Sequence, residues 1–339
     1  MTQSRLVRFL SSSDNSTVIN LCTLFDSSYL IQGLAMIKSV ERYSTSRINW
    51  TILTLDNESA DFMLKNSTID LEILTLESIK DEELKKLVGV RPWNELCWTS
   101  ASCLLRLVNN GARFGEISAY IDADCFFFQD ITEMFLPLFH GQTIAVHEHR
   151  FSRDRLNWLA KSGRFNVGVV GGVKGTEFDD CINRWRMQVL ESCIVDQRNG
   201  KCGDQTYLNE WPDLYKKLVI LDEPGVGLAP WNINNYVISQ KDKVIYVDDK
   251  KLFFYHFHAL QFFVFKSKIV IFEAAAGYML SNESTKIIYQ RYVETLINSK
   301  AYTKEFGLRV KGLYSVKFIK SVLKKRVFVI FNFLNYSKY

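Results

Sequence analysis

The sequence predicts an α/β domain with a mostly parallel, doubly wound central sheet flanked by helices. Short apolar runs alternate with stretches of helical period, beginning with Val18 to Leu24 and then Tyr29 to Tyr43. Strands that alternate with helices argue for parallel pairing. One apolar run, Ile117 to Ile121, ends in Asp122-Ala123-Asp124, and strand ends are where open α/β sheets present ligand-binding groups.

The elements follow in order. Val18 to Leu24 reads as a buried strand. Tyr29 to Tyr43 reads as a helix, with Leu30, Leu34, Ile37 and Val40 near a 3.6-residue period. Trp50 to Leu55 is a second strand and Leu71 to Leu76 a third, with Asp56-Asn57-Glu58 turning into a helix between them. Trp93 to Asn109 is a long helix carrying Trp98, Leu104, Leu105 and Leu107 inward, with Arg106 its one basic residue. After the acidic strand come strands at Thr143 to Val146 and Arg164 to Val173, the latter rich in glycine. Helices are predicted at Asp179 to Cys193 and Gly203 to Trp211, and a late strand at Leu252 to His258. There is no internal repeat and no low-complexity linker.

At 339 residues the chain fits one large domain with an appendage: residues 1–265, then a basic helical extension over 266–339. Hydrophobic residues at 47% and charged residues at 23% are ordinary for a globular protein, whereas 14% aromatics is high and points to a sugar- or membrane-facing surface. The seven cysteines contain no Cys-x-x-Cys pair, several sit in apolar runs, and a reducing compartment fits them best. Neither a secretory leader nor an 18-residue apolar span is visible, so a cytoplasmic location is expected. Residues 301–339 hold nine basic side chains and one acid, which leaves the body slightly acidic. That argues against a nucleic-acid-binding body. The segment from Val316 to Arg326 reads either as an amphipathic element for an anionic leaflet or as a helix packed on the body.

Several side chains have the type and spacing for chemistry. Asp122 and Asp124, two apart on a bending backbone, suit one hard cation, although many Asp-x-Asp pairs are solvated turns. In Phe165-Asn166-Val167-Gly168 an amide sits beside a glycine, so Asn166 suits a sugar hydroxyl with Gly168 making room; a strand-edge turn is the alternative. Asp204 and Gln205 stand at a helix start, where Asp204 either caps the helix or faces a ligand. His256 and His258 share one face of a strand, as core residues or as an imidazole source for a metal. His147-Glu148-His149 reads as the rim of an acceptor-facing site or as a polar strand end.

Taken in this order, the pieces resemble the GT-A nucleotide-sugar glycosyltransferases. The likeness is greatest to glycosyltransferase family 8 and to nucleotide-diphospho-sugar transferases of bacterial surface-polysaccharide clusters. The matched motifs run from Cys22-Thr23-Leu24-Phe25 to His256-Phe257-His258, about three-quarters of the chain. The resemblance implies Asp122, Asp124 and His256 or His258 as ligands of Mn²⁺ or Mg²⁺, with an imidazole favouring Mn²⁺. It implies Thr23, Phe25 and Tyr29 at the nucleotide, Arg106 at the donor phosphates, Asn166 and Gly168 at the sugar, and Asp204 with Gln205 beside the anomeric carbon. It further implies a UDP-sugar donor, a glycan or lipid-linked acceptor and retention of configuration. The chain departs from family 8 after His256, where Ala259-Leu260-Gln261-Phe262 replaces the glycine- and lysine-bearing ending. Ala229-Pro230-Trp231-Asn232 suits the polysaccharide-cluster relatives better. A sugar-1-phosphate nucleotidyltransferase needs a glycine-rich basic loop after the first strand, and Thr23 to Ser28 has neither feature. A non-catalytic nucleotide-sugar-binding scaffold at the membrane is the remaining alternative.

Overall fold

A computed structural model describes residues 5–7, 17–265, 268–272, 278, 286–296 and 329–330. Its centre is an eight-stranded sheet built from β1 (Arg5–Val7), β2 (Val18–Phe25), β3 (Arg47–Thr54), β4 (Leu71–Thr75), β5 (Ile117–Ile121), β7 (Ile144–Glu148), β8 (Phe165–Val173) and β11 (Leu218–Ile220). The spatial order is β1-β4-β3-β2-β5-β8-β7-β11. Between them in sequence lie β6 (Cys125–Phe127) and a two-residue ribbon of β9 (Val195–Asp196) and β10 (Lys201–Cys202).

Strands β4, β3, β2 and β5 are parallel, as the β-α alternation requires. The helices that cross between them are α1 (Leu30–Tyr43), α2 (Asn57–Asn66), α3 (Glu82–Leu87) and α4 (Trp93–Gly111). Their starts are chemically fixed. Asp56 caps α2 by accepting the Ser59 N–H at 2.8 Å, and it also accepts the Ser27 N–H at 2.9 Å, tying the loop after β2 to that cap. Leu30, Met36, Ile37 and Val40 of α1 pack on one face of the sheet. Leu96, Leu104 and Leu105 of α4, with Trp185 of the helix Thr176–Glu191, pack on the other. Fully burying each such side chain contributes about 1.5–3 kcal/mol, which is why the apolar periods settle these faces.

Two strands depart from the expected parallel arrangement, the edge strand β1, antiparallel to β4, and the interior strand β8. β8 runs antiparallel to both β5 and β7. It follows β7 through the segment 149–164, which holds only short helical turns and no crossover helix over the sheet, so the chain returns in the opposite direction. The reversal brings the start of β8 to the finishing end of β5, where the Asp122 N–H donates to the Gly168 carbonyl at 2.9 Å. Further along β8 the glycines serve packing. A Cβ on Gly172 would lie 2.4 Å from the Phe178 ring and 2.5 Å from the Thr143 carbonyl.

A second layer covers the end of the sheet. A meander of β12 (Ile238–Lys241), β13 (Val244–Val247) and β14 (Lys250–Lys251) leads to β15 (Phe254–His256). β15 pairs antiparallel with β6, with His256 opposite Cys125. Phe126, Phe128, Tyr255 and Phe257 then form an aromatic cluster with Ile288, Tyr289 and Tyr292 of a helix at 286–296. Beyond it β16 (Gln261–Phe265) and β17 (Lys268–Phe272) form a hairpin that straddles residue 265, so part of the predicted helical extension is strand. The basic segment Val316 to Arg326 lies outside the described residues. No helix among the described residues is long and apolar enough to cross a membrane.

Candidate active site

A cleft of about 520 Å³ opens beyond the finishing ends of β2 and β5, within the size range of ligand sites. Asp122 and Asp124 stand on its floor, and each is held by a specific contact. Tyr120, two residues before Asp122 and therefore on the same face of the strand, donates its hydroxyl to Asp122 Oδ1 at 2.8 Å. The Phe257 N–H donates to the Asp124 carbonyl at 2.8 Å, which locks the strand carrying the histidines onto the acidic loop.

His256 Nε2 lies 3.0 Å from Asp124 Oδ1 and 3.8 Å from Asp122 Oδ2. Its other nitrogen, Nδ1, is 3.1 Å from Asn166 Oδ1. That oxygen also accepts the Gly168 N–H at 2.9 Å, which fixes the amide orientation and assigns Nδ1 as the protonated nitrogen of a neutral His256. Nε2 faces the carboxylates, donating to Asp124 Oδ1 when it carries a proton and offering its lone pair in the neutral form. Gly168 is required here, because a Cβ would come within 2.7 Å of both Asn166 Oδ1 and His256 Nδ1. Glycine thus makes room for the Asn166–His256 bond. Metal-ligating histidines are commonly fixed in this way through the second ring nitrogen.

The charges point the same way. Burial, reinforced by the Asp124 charge, pushes Asp122 above the usual carboxylate range. Burial opposes ionisation of Asp124 too, but the charge and hydrogen bond of His256 hold it low. His256 loses charge stability to burial yet is raised by Asp124 and then by Asp122. Asp204, buried on the cleft wall, is pushed well up by burial and then by the Asp122 charge. Asp122 and Asp124 therefore share one imidazole, and Asp204 adds a third carboxyl group that feels the Asp122 charge. This donor set, two carboxylate groups and one oriented imidazole, is chemically suited to a divalent cation. Cys125 also lies within reach of Asp124 and His256. However, its thiol sits 3.5 Å from the Gly168 carbonyl, and burial followed by the two aspartate charges keeps it protonated.

Most of the predicted site residues meet in the cleft. Phe25, Tyr29, Asn166, Asp204, Gln205, His256 and His258 line it, together with Asp26. The Asp124 charge, then burial, raises the Tyr29 phenol. Gln205 is held by its amide, whose Nε2 donates to the Ser162 carbonyl at 2.7 Å. Asp204 makes no cap bond to the short helix Gln205–Glu210, so the capping alternative does not hold. His258 bonds the Tyr278 hydroxyl through Nδ1 at 2.9 Å and sits one ring further out, 6.0 Å from His256 between centroids.

Three predicted residues do not line it: Gly168, which sits behind Asn166 and His256, Arg106 and Thr23. Arg106 faces away, with its Nε donating to Asn183 Oδ1 of the helix Thr176–Glu191 at 2.5 Å. Asn94, Cys97, Trp98 and Ala101 form the cleft-facing stripe of α4. Arg106 is five residues past Ala101, which turns it roughly 140° from that stripe and moves it about 7 Å further along the axis. Thr23 is fully buried in the sheet with no described partner for its hydroxyl, and the cleft lining begins one residue later at Leu24. The pair His147 and His149 also divides. His149 lines the cleft, stacked on Phe151 at 4.6 Å, while His147 is a core residue whose Nε2 accepts the Val169 N–H at 3.3 Å.

The wall that sequence reading missed is aromatic. Phe151, Trp158, Trp231 and Tyr278 come from separated segments and line one side. Trp231 packs edge-on against His256 and His258 at 5.2 and 5.4 Å, and its indole N–H donates to the His149 carbonyl. Trp93, on the other side, donates to Asp26 Oδ2 at 3.2 Å. The only hints in sequence were the excess of rings and the Ala229-Pro230-Trp231-Asn232 run.

The fold is the GT-A fold. The solved galactosyltransferase LgtC, in complex with donor and acceptor sugar analogs, superposes with a TM-score of 0.53 over 82% of this chain and 95% of its own, at 12% identity. By sequence the chain is similar to two uncharacterized proteins of Bacillus subtilis (strain 168). YfnD is 28% identical over 285 residues, covering 83% of this chain and 89% of YfnD. YfnF is 27% identical over 284 residues, covering 81% and 90%. No family model matches the chain.

Proposed function

We propose that the protein is a divalent-metal-dependent glycosyltransferase that moves a sugar from a nucleoside-diphosphate donor, a UDP-sugar, to a glycan or lipid-linked acceptor. The observation that carries this reading is the convergence of Asp122, Asp124 and His256 Nε2 at the cleft floor. A galactosyltransferase with donor and acceptor analogs shares the fold, which supports the assignment of the cleft to two sugar-bearing ligands. A bound cation would act as a Lewis acid on the leaving diphosphate.

The chain's own residues have separable tasks in this reading. Tyr120 orients Asp122, and Asn166 with Gly168 orients His256. Phe25, Tyr29, Asp26 and Trp93 at the β2–α4 side offer rings and a carboxylate for the nucleoside. Asp204 and Gln205 face the donor sugar, and stabilising positive charge on that sugar suits a retaining transfer. The aromatic wall of Trp158, Trp231 and Tyr278 suits the apolar faces of a pyranose acceptor. A cytoplasmic enzyme held at the inner leaflet by its basic tail completes the proposal. The decisive assay is Mn²⁺-dependent hydrolysis across UDP-, GDP- and TDP-sugars by wild type and Asp124→Ala. Turnover of one donor class by wild type alone is expected, whereas equal rates in EDTA would exclude the metal role.

A further inference from the structure

We propose a second binding site, for a phosphate-bearing anion, on the reverse side of the ribbon that carries Asp124. A cavity of about 690 Å³ lies between α1, the turn joining β12 to β13 and the helix 286–296. Phe126 and Phe128 line it, alternate residues whose rings meet edge to face at 5.1 Å. Four cations line it as well: Lys38 and Arg42 of α1, Lys243 of the turn and Arg291 of the helix 286–296. Lys38 and Arg42 are one helical turn apart and share a face. Two acids are present, Asp242 and Glu294, and Glu294 already accepts the Gln290 amide at 3.1 Å. Among the described residues, Arg42, Lys243 and Arg291 form no ion pair with a carboxylate.

A solvated basic face spreads its cations over a convex surface, where water screens each one. Here they come from three separate segments to one concavity with aromatic side chains, Lys38, Arg42 and Lys243 exposed and Arg291 half-buried, so an anion seated there meets all four charges. Guanidinium forks match phosphate oxygens in pairs, and rings nearby strengthen each contact by excluding water. The cavity also meets β6 through a hydrogen bond, besides the rings of Phe126 and Phe128. Ser39 lines it, and Ser39 Oγ accepts the Phe127 N–H of β6 at 2.9 Å. An occupant therefore abuts the strand that leaves Asp124. The inference stands independently of glycosyl transfer, since it uses none of the cleft residues.

Titration calorimetry of the full chain in EDTA, with inorganic pyrophosphate as probe, tests the site. We expect binding in the wild type and in Asp124→Ala, and affinity reduced about tenfold or more in Arg42→Glu and in Arg291→Glu. Arg42→Gln and Arg291→Gln, with circular dichroism, separate lost charge from lost fold. Vesicles then distinguish the source. Displacement of pyrophosphate by phosphatidylglycerol but not phosphatidylcholine vesicles assigns a lipid headgroup, and no displacement by either assigns a soluble phosphate. Absence of binding, binding insensitive to both arginine replacements, or binding lost in Asp124→Ala would each overturn the proposal.

Discussion

The β6–β15 ribbon separates two regions of opposite electrical character. Its front carries Asp124 and His256, close to Asp122 and Asp204, in a cleft where acid exceeds base. Its rear carries Phe126 and Phe128 under Lys38, Arg42, Lys243 and Arg291, where base exceeds acid. Within the ribbon His256 shares a face with its partner Cys125, and Phe126 shares the opposite face with Tyr255, whereas Asp124 reaches the front from the turn that precedes β6. The front is also the more tightly specified. Asp122 and Asp124 are each tied by hydrogen bonds, and His256 is held from both ring nitrogens. Among the described residues, Arg42, Lys243 and Arg291 form no ion pair with a carboxylate, so the front is a preorganised polar site and the rear a gathering of charge.

That contrast can be broken most severely at Asp124. Asp124→Ala should lower Mn²⁺-dependent donor hydrolysis by about a hundredfold or more, with little change in melting temperature. Full activity in this variant would remove the front site as a metal centre. Next is Gly168→Ala, whose Cβ intrudes on Asn166 and His256. Its Mn²⁺ affinity should drop about 10- to 100-fold, read by titration calorimetry, while pyrophosphate binding at the rear is unchanged. Equal loss at both sites would show general unfolding instead.

A smaller effect concerns pH. The folded pKa of Asp204 lies above its unfolded value, so the native state holds a proton that the unfolded state releases. Its contribution to stability is full below the unfolded pKa of about 4 and declines as pH rises toward the folded pKa. Metal-free wild type should therefore lose melting temperature with rising pH over that window more steeply than Asp204→Asn. Parallel curves would mean that Asp204 ionises normally. Smallest of all is Arg106→Ala. Donor turnover should stay within about twofold, with up to about 1.5 kcal/mol of stability lost with the Asn183 bond.

Much of the architecture was legible because apolar periods are local. β2, α1, α4, β5 and β8 fall within a few residues of their expected bounds. The acidic pair was legible because a carboxylate at the end of an apolar strand has few structural uses. The pairing of β15 with β6 was not, since register between strands so far apart is set by packing rather than by any local signal. Arg106 was expected at the donor phosphates through the resemblance alone, which carries no phase on the helix, and the cleft-facing stripe of α4 is Asn94, Cys97, Trp98 and Ala101. The antiparallel course of β8 escaped because an apolar run does not disclose its direction. Yet it is that direction which sets Asn166 against His256.

The Asn166–His256 bond joins residues 90 positions apart in the chain. Closing a flexible loop of that length costs on the order of 4 kcal/mol of chain entropy beyond a length-independent constant. During synthesis the two aspartates emerge well before the imidazole that faces them. A nascent chain that has not yet reached β15 has carboxylates without their histidine and a β6 without its partner strand. Completion of the Asp122–Asp124–His256 floor is thus tied to arrival of the 250s, and the Asn166–His256 bond reports that this late segment has docked.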